Sequence, residues 1–322
     1  MKKAAIFYIL ILLSCKGFAQ TEKIINPSDL KQQTVITEPL SLNKGFTRVG
    51  LAYSYSALDK YFNTNGKKMY SPESSWGIVS GAQVMVQYGI TDRLMAEVGV
   101  PFKFDVTNYH WRIYAPGLDY MEISDMSVRG GGLADLYLSG TFQVIPSSRH
   151  KFSLKASLDV TIPTGRKNPE NVVSSYDYDA PTGYGVFVLS PRITARLVHY
   201  PYSWVVYVQY SYNFSGSRII YPGDTEERDY RYGNNIYAGG GVNLHLNEWI
   251  ALTNDLVYSY TGRGEIENVS DDNLTTSYTF SYQPRIVFQI RRFRLGEAVN
   301  IPLKGRLTGA DPLYVLLVQY IF

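Results

Sequence analysis

The stretch Trp204-Val205-Val206-Tyr207-Val208-Gln209-Tyr210-Ser211-Tyr212-Asn213-Phe214 decides the fold class. Trp204, Val206, Val208, Tyr210, Tyr212 and Phe214 share one parity, and Tyr207, Gln209, Ser211 and Asn213 share the other. Side chains of a strand alternate between its two faces, so this segment is a strand with one apolar and one polar side. Its eleven positions match the ~10 residues that a tilted strand needs to cross a hydrocarbon core.

The same period of two recurs along the chain. In 278–290, Tyr278, Phe280, Tyr282, Ile286, Phe288 and Ile290 oppose Thr279, Ser281, Gln283, Arg285 and Gln289, with Pro284 expected at a bulge because it has no N–H for the ladder. In 152–162, Leu154, Ala156, Leu158 and Val160 oppose Lys155, Ser157, Asp159 and Thr161. Further strands are predicted at 49–55, 78–88, 94–104, 133–144, 187–197, 236–246, 250–260, 299–303 and 314–322. The expected fold is therefore all-β, a closed antiparallel transmembrane barrel of about 12 strands spanning 47–322.

Connection lengths alternate as well. Short turns at 89–93, 145–151, 199–203, 247–249 and 291–293 separate long polar segments at 58–75, 105–130, 163–182, 215–233 and 262–276. Outer-membrane barrels combine short periplasmic turns with longer extracellular loops, which places both chain ends on the periplasmic side. Unpaired backbone groups have no water to turn to in a bilayer, so spanning strands must form a closed ring. About twelve strands lies between barrels filled by their own side chains and wide porins, so a narrow or partly plugged lumen is expected.

Residues 1–19 have the form of a secretory signal peptide: Lys2 and Lys3, an apolar run at 4–13, then Gly17-Phe18-Ala19, with cleavage after Ala19. The alternative is a lipoprotein box ending on Cys15, the single cysteine, which would then be lipidated and retained. Residues 20–46, with Pro27 and Pro39, read as a periplasmic or lumen-inserted extension. The chain stops on Tyr314, Leu316, Val318, Tyr320 and Phe322 on one face, the C-terminal form that the barrel assembly machinery recognises.

Composition agrees with a barrel. Of 322 residues 28 are tyrosine, against 14 phenylalanine and 4 tryptophan, and mean hydropathy is −0.14. Such a mixture suits a protein wet on one side and apolar on the other, with tyrosines at the lipid boundary. A net charge of +3 without a basic run argues against nucleic acid as a partner. The expected partners are outer-membrane lipid and lipopolysaccharide, the assembly machinery and a small-molecule solute.

The inward faces carry Glu97, Lys103, Asp135, Lys155, Asp159, Arg192, Arg196, Asp255 and Arg285. These groups either pair to fill a narrow barrel or form a constriction that selects solutes by size and charge. His110, His150, His199 and His245 lack ligand spacing, so no metal site is expected, and no cofactor is implied. Gly130-Gly131-Gly132 is not followed by Lys-Ser/Thr and reads as a flexible start to a strand rather than a phosphate loop. Trp204 and Trp249 fit interfacial girdles. A lipid-hydrolysing barrel needs a serine beside an oriented histidine on the outer wall; no such pair appears, so no enzyme is expected.

Several short segments resemble the family of outer-membrane barrels described as transporters or as components of a MetA pathway of phenol degradation. They are Tyr88-Gly89-Ile90-Thr91-Asp92-Arg93-Leu94, Val98-Gly99-Val100-Pro101, Gly132-Leu133-Ala134-Asp135-Leu136 and Ile162-Pro163-Thr164-Gly165, with the likeness extending over 49–322. Ala134 departs from the second glycine common there. The resemblance implies a barrel that takes up aromatic or other small hydrophobic compounds. A channel or transporter is thus the first expectation, with a plugged structural or binding barrel as the alternative.

Overall fold

The computed structural model describes residues 42, 44–70, 76–115, 118–146, 151–174, 177–220, 222–247, 249–267, 276–290 and 292–322, with backbone alone at 76, 109–115, 118–126 and 174. The expected signal peptide, Cys15 and most of the 20–46 extension lie outside the described residues, as does His150. Among the described residues there is no helix.

Twelve strands form the wall: β1 (Thr47–Ala57), β2 (Trp76–Gly89), β3 (Leu94–Ala115), β4 (Leu136–Ile145), β5 (Phe152–Ile162), β6 (Val188–His199), β7 (Tyr202–Asn213), β8 (Asn235–His245), β9 (Ile250–Thr261), β10 (Ser277–Ile290), β11 (Phe293–Arg306) and β12 (Leu313–Ile321). Each pairs antiparallel with its neighbours, and β1 pairs with both β2 and β12, so the sheet closes. No edge is left to carry unpaired backbone into lipid. The wall is a transmembrane, porin-like barrel of outer-membrane type. Its short turns and long loops fall on opposite ends, as the sequence pattern requires.

The outer face is mostly apolar. On β7, Trp204, Val206, Val208 and Tyr210 are exposed while Val205 and Tyr207 are buried. Trp249, Phe293, Tyr320 and Phe322 are exposed near the end bearing the short turns, and Tyr53, Tyr55 and Tyr314 are exposed toward the other, as interfacial girdles require. Among the described residues of β11 two charges stand on this face: Glu297, level with Ile286 on β10 and Leu316 on β12, and Lys304 toward the loops, level with Phe280.

The structure corrects several boundaries. The 105–130 segment is no loop: β3 runs for 22 residues, and past the wall it pairs with a strand at Leu118–Leu133, raising an arm that Asp177–Asp179 and Glu170–Ser174 extend. The lower part of β3, Leu94 to Gly99, pairs instead with β4. Gly130-Gly131-Gly132 therefore ends the arm rather than starting a wall strand, and Gly132 takes φ +133° just before the chain crosses from β3's arm partner to β4. A left-handed φ at that switch suits glycine. The 299–303 strand is the upper part of β11, which begins at Phe293. Nor does Pro284 sit at a bulge. Its register with Asn254 is continuous, pairing with β11 lapses over Gln283 and Pro284, and the register shift lies at Phe280/Ser281.

The long loops are tied together by small sheets: Lys60–Phe62, Lys68–Tyr70 and Thr308–Gly309 in one, and Gly216–Arg218, Arg228–Arg231 and Glu265–Ile266 in another. Two of the family-like segments meet here. Asp135 accepts hydrogen bonds from Gly165 N (2.9 Å) and Tyr184 N (2.6 Å), while Thr164 Oγ1 accepts from Leu136 N (3.0 Å). A Cβ on Gly165 would stand 2.8 Å from Gly183 Cα, which is why glycine occupies this crossing.

Candidate functional site: the barrel lumen

Inward positions decide whether a barrel has a hole. In the half nearer the short turns they carry long side chains. Lys155 and Arg196 are 1% exposed, Arg294 3%, Arg48 and Arg285 4%, and Asp255 0%. Such burial marks this half of the lumen as filled. Arg285 forms an ion pair with Asp255. Arg48 Nη1 donates to Gln87 Oε1 (2.9 Å), and Thr253 Oγ1 donates to Asn243 Oδ1 (2.6 Å). These contacts close a polar floor.

Gly241 makes room for the Arg285–Asp255 pair. A Cβ there would collide with the Asp255 carboxylate and the Asn254 carbonyl, so the glycine-rich run Gly239-Gly240-Gly241 of β8 is a packing requirement.

Above the floor the section opens. A cavity of about 640 Å³ is lined by residues of β1 to β6, β8 and β10 to β12. One wall is apolar, with Ala52, Met85, Pro101, Leu313, Val315 and Leu317. The rest of the lining includes polar groups, among them Glu97, Tyr137, Ser139, Asp159, Arg192 and Gln283. Asp159 accepts from Ser139 Oγ (2.6 Å) and faces Arg192 Nη2 at 3.7 Å, Arg192 Nε donates to Gln209 (2.8 Å), and Glu97 accepts from Gln87 Nε2 (2.6 Å). A smaller cavity of about 190 Å³ shares Tyr237 and Asn300 with the first and extends toward Asp311 and the loop sheet.

The nine charged positions read from the sequence thus separate into four groups. Lys155, Arg196, Asp255 and Arg285 belong to the floor; Glu97, Asp159 and Arg192 line the cavity. Lys103 is at the outer mouth, paired with Asp105 at 3.0 Å. Asp135 is not a lumen charge at all: its carboxylate is used up fastening the turn at Gly165 and Tyr184. Sequence parity placed it inward because strand β4 was expected to begin at 133, whereas β4 begins at Leu136.

Parity also missed the apolar wall. Leu313, Val315 and Leu317 lie opposite Tyr314, Leu316 and Val318 on a strand that is apolar on both faces. The signal was the unbroken run Leu313 to Val318, in which no polar residue marks a wet side. Arg48 and Arg294, also in the floor, were unread because both stand at the bottom of their strands, next to a turn.

Ser203 Oγ and His245 Nε2 approach to 3.5 Å in the floor. Ser203 Oγ already accepts from Asn243 Nδ2 (3.0 Å) and Arg196 Nη2 (3.3 Å), and neither residue is more than 2% exposed. A hydroxyl so engaged, with no path for a substrate, is a packing group rather than a nucleophile. Among the described residues no set of His, Cys, Asp and Glu side chains is arranged to hold a metal.

No protein-family model matches the sequence, and no curated protein matches it either. Solved structures do. An outer-membrane channel from Pseudomonas putida F1 superposes with a TM-score of 0.68 at 13% identity, covering 91% of this chain and 100% of that one. A toluene transporter from Ralstonia pickettii gives 0.42 at 11% identity over 87% and 90% of the two chains. The translocator domain of the autotransporter NalP from Neisseria meningitidis gives 0.44 at 9% identity over 87% and 89%. The likeness to the Pseudomonas channel establishes a shared barrel fold.

Proposed function

We propose that this chain is a passive channel of the Gram-negative outer membrane, exported by the signal peptide at 1–19, that carries small molecules with apolar or aromatic bodies. The observation that carries this reading is the cavity with an apolar wall of Leu313, Val315 and Leu317 inside a transmembrane barrel. A channel for sugars or ions gains nothing from such a wall. An apolar solute gains about 25 cal/mol for each Å² it hides from water there. The resemblance to barrels associated with phenol degradation supports the same solute class. The aromatic face ending in Tyr314, Leu316, Val318, Tyr320 and Phe322 serves as the assembly signal in this reading, and lipid and lipopolysaccharide surround the outer face.

The test is uptake of phenol and of arabinose by proteoliposomes holding the refolded protein. Phenol flux well above that of empty vesicles is expected, with arabinose near background; phenol flux equal to that of empty vesicles would discard the channel. One observation favours a second reading, a binding barrel without through-passage: the floor, where Lys155, Arg196 and Asp255 are almost wholly buried. Binding of phenol without flux would select it.

A further inference from the structure

Five strands contribute to one inward row where the floor meets the cavity. Backbone register sets Arg48 of β1 beside Gln87 of β2, Gln87 beside Glu97 of β3, Glu97 beside Ser139 of β4 and Ser139 beside Asp159 of β5. Two hydrogen-bond chains run along this row. One starts at Arg48, passes through Gln87 and ends on Glu97 Oε2; the other carries Ser139 Oγ to Asp159, which Arg192 also faces. Both chains end on a carboxylate, and Ser139, which stands between the two, has its one hydroxyl proton directed to Asp159.

Glu97 is the member left short. It is half-buried, lines the cavity, and among the described residues takes a hydrogen bond from Gln87 alone and no ion pair. An ionised carboxylate has about four lone-pair sites, so most of its capacity is unmet by protein. Gln283, Asn300 and Gln319 line the same cavity, and each has its amide oxygen buried without a partner. No donor of a described cavity-lining residue is left buried in that way. What the lining lacks is therefore a donor. It does not lack charge, for the row together with Arg192 holds two cations and two carboxylates. A further ion brought there would carry a desolvation penalty with no opposite charge to offset it.

We infer that Glu97 accepts the hydroxyl proton of a neutral aromatic alcohol, a phenol, whose ring lies against Met85 and the apolar lining above. Met85 and Gly99 stand one inward step above Gln87 and Glu97, roughly 7 Å along the strands. Leu317, Ala52, Gln83 and Pro101 share the next row. One aromatic ring spans the step between acceptor and apolar surface. A hydroxyl that donates to a carboxylate makes a short, charge-assisted bond, stronger than one to a neutral oxygen. An organic acid would instead set like charges together at Glu97. This names the solute class of the channel proposed above and rests on that reading for transport, while binding itself can be read without any flux.

The test uses the full barrel in detergent micelles, with four probes of one body: phenol, anisole, in which the hydroxyl proton is replaced by methyl, benzoate and benzylammonium. Calorimetry, with protein-free micelles subtracted, should give phenol a Kd at least about tenfold below those of the other three. Glu97→Gln keeps the shape and removes the charge; it should weaken phenol about tenfold, tighten benzoate about tenfold and leave anisole unchanged. Anisole bound as tightly as phenol would overturn the inference in the native chain without any variant. Benzylammonium bound more tightly than phenol would show that Glu97 takes a cation, and benzoate unchanged in Glu97→Gln would show that Glu97 does not face the solute; either result overturns it. Equal flux of phenol and anisole in vesicles would sink this inference alone. Selective binding of phenol without flux would sink the channel and leave the site standing.

Discussion

The two halves of the lumen hang on the same twelve strands yet one is solid and the other hollow. In the lower half the inward positions hold Arg48, Lys155, Arg196, Arg285, Arg294 and His245, long groups that are almost wholly buried. In the upper half Ala52, Ser54, Gly81 and Ser139 take the corresponding places, and the section stays open. Strand number sets the diameter of a barrel. What the contrast teaches is that side-chain length at inward positions then decides where along the axis that diameter is free.

The sharpest way to break this contrast is to remove the central charge pair of the floor. Asp255→Ala leaves Arg285 buried without its carboxylate and should cost about 3–5 kcal/mol, read as a lower urea midpoint for unfolding in micelles. A midpoint unchanged from the native chain would mean that the floor is wet. Next comes Gly241→Ala, whose new methyl meets the Asp255 carboxylate and the Asn254 carbonyl; a loss of about 1–3 kcal/mol in the same titration is expected from overpacking.

In the hollow half the converse holds. Ala52→Phe extends into the cavity and should cut solute flux about tenfold, worth ~1.4 kcal/mol in rate, while the urea midpoint stays within error. Flux that survives would place the passage elsewhere. Smaller still is Glu297→Leu on the lipid face, outside both halves. Removing the one charge among the described outward positions between Phe293 and Leu303 should stabilise the barrel by about 1 kcal/mol in lipid, and a loss instead would point to a partner for the carboxylate.

The slightest effect lies in the loops. Hydrogen bonds from Lys167, Asn168 and Ser217 hold the Glu227 carboxyl at about 2, well below its ordinary 4.5. Because the folded value is depressed, the tie between the 163–187 and 214–234 segments is present above pH 4.5 and is lost as pH falls toward 2. Limited proteolysis of these loops should quicken over that window, and Lys167→Met should move the onset to higher pH.

Much of the wall was legible beforehand. Strand β5 matches its expected span, and β7, β9 and β10 deviate by a residue or two at the ends, because one lipid-facing and one polar side give a strong period of two. The arm above β3 was not legible: past the bilayer neither face meets lipid, so alternation fades although pairing continues. The floor charges Lys155, Arg196, Asp255 and Arg285 could be named as inward, and the Leu313 to Leu317 wall could not, since outward aromatics on β12 drew the reading to the other face.

Local alternation and loop length alone determined a closed barrel of twelve strands with its ends on one side, for each strand records in its own residues which side meets lipid. Where the lumen is filled and where an apolar wall borders the open section were decided only by closure. Closure sets positions distant in sequence side by side, such as Gly50 and Arg294, which flank Gln319 only when β12 zips onto β1.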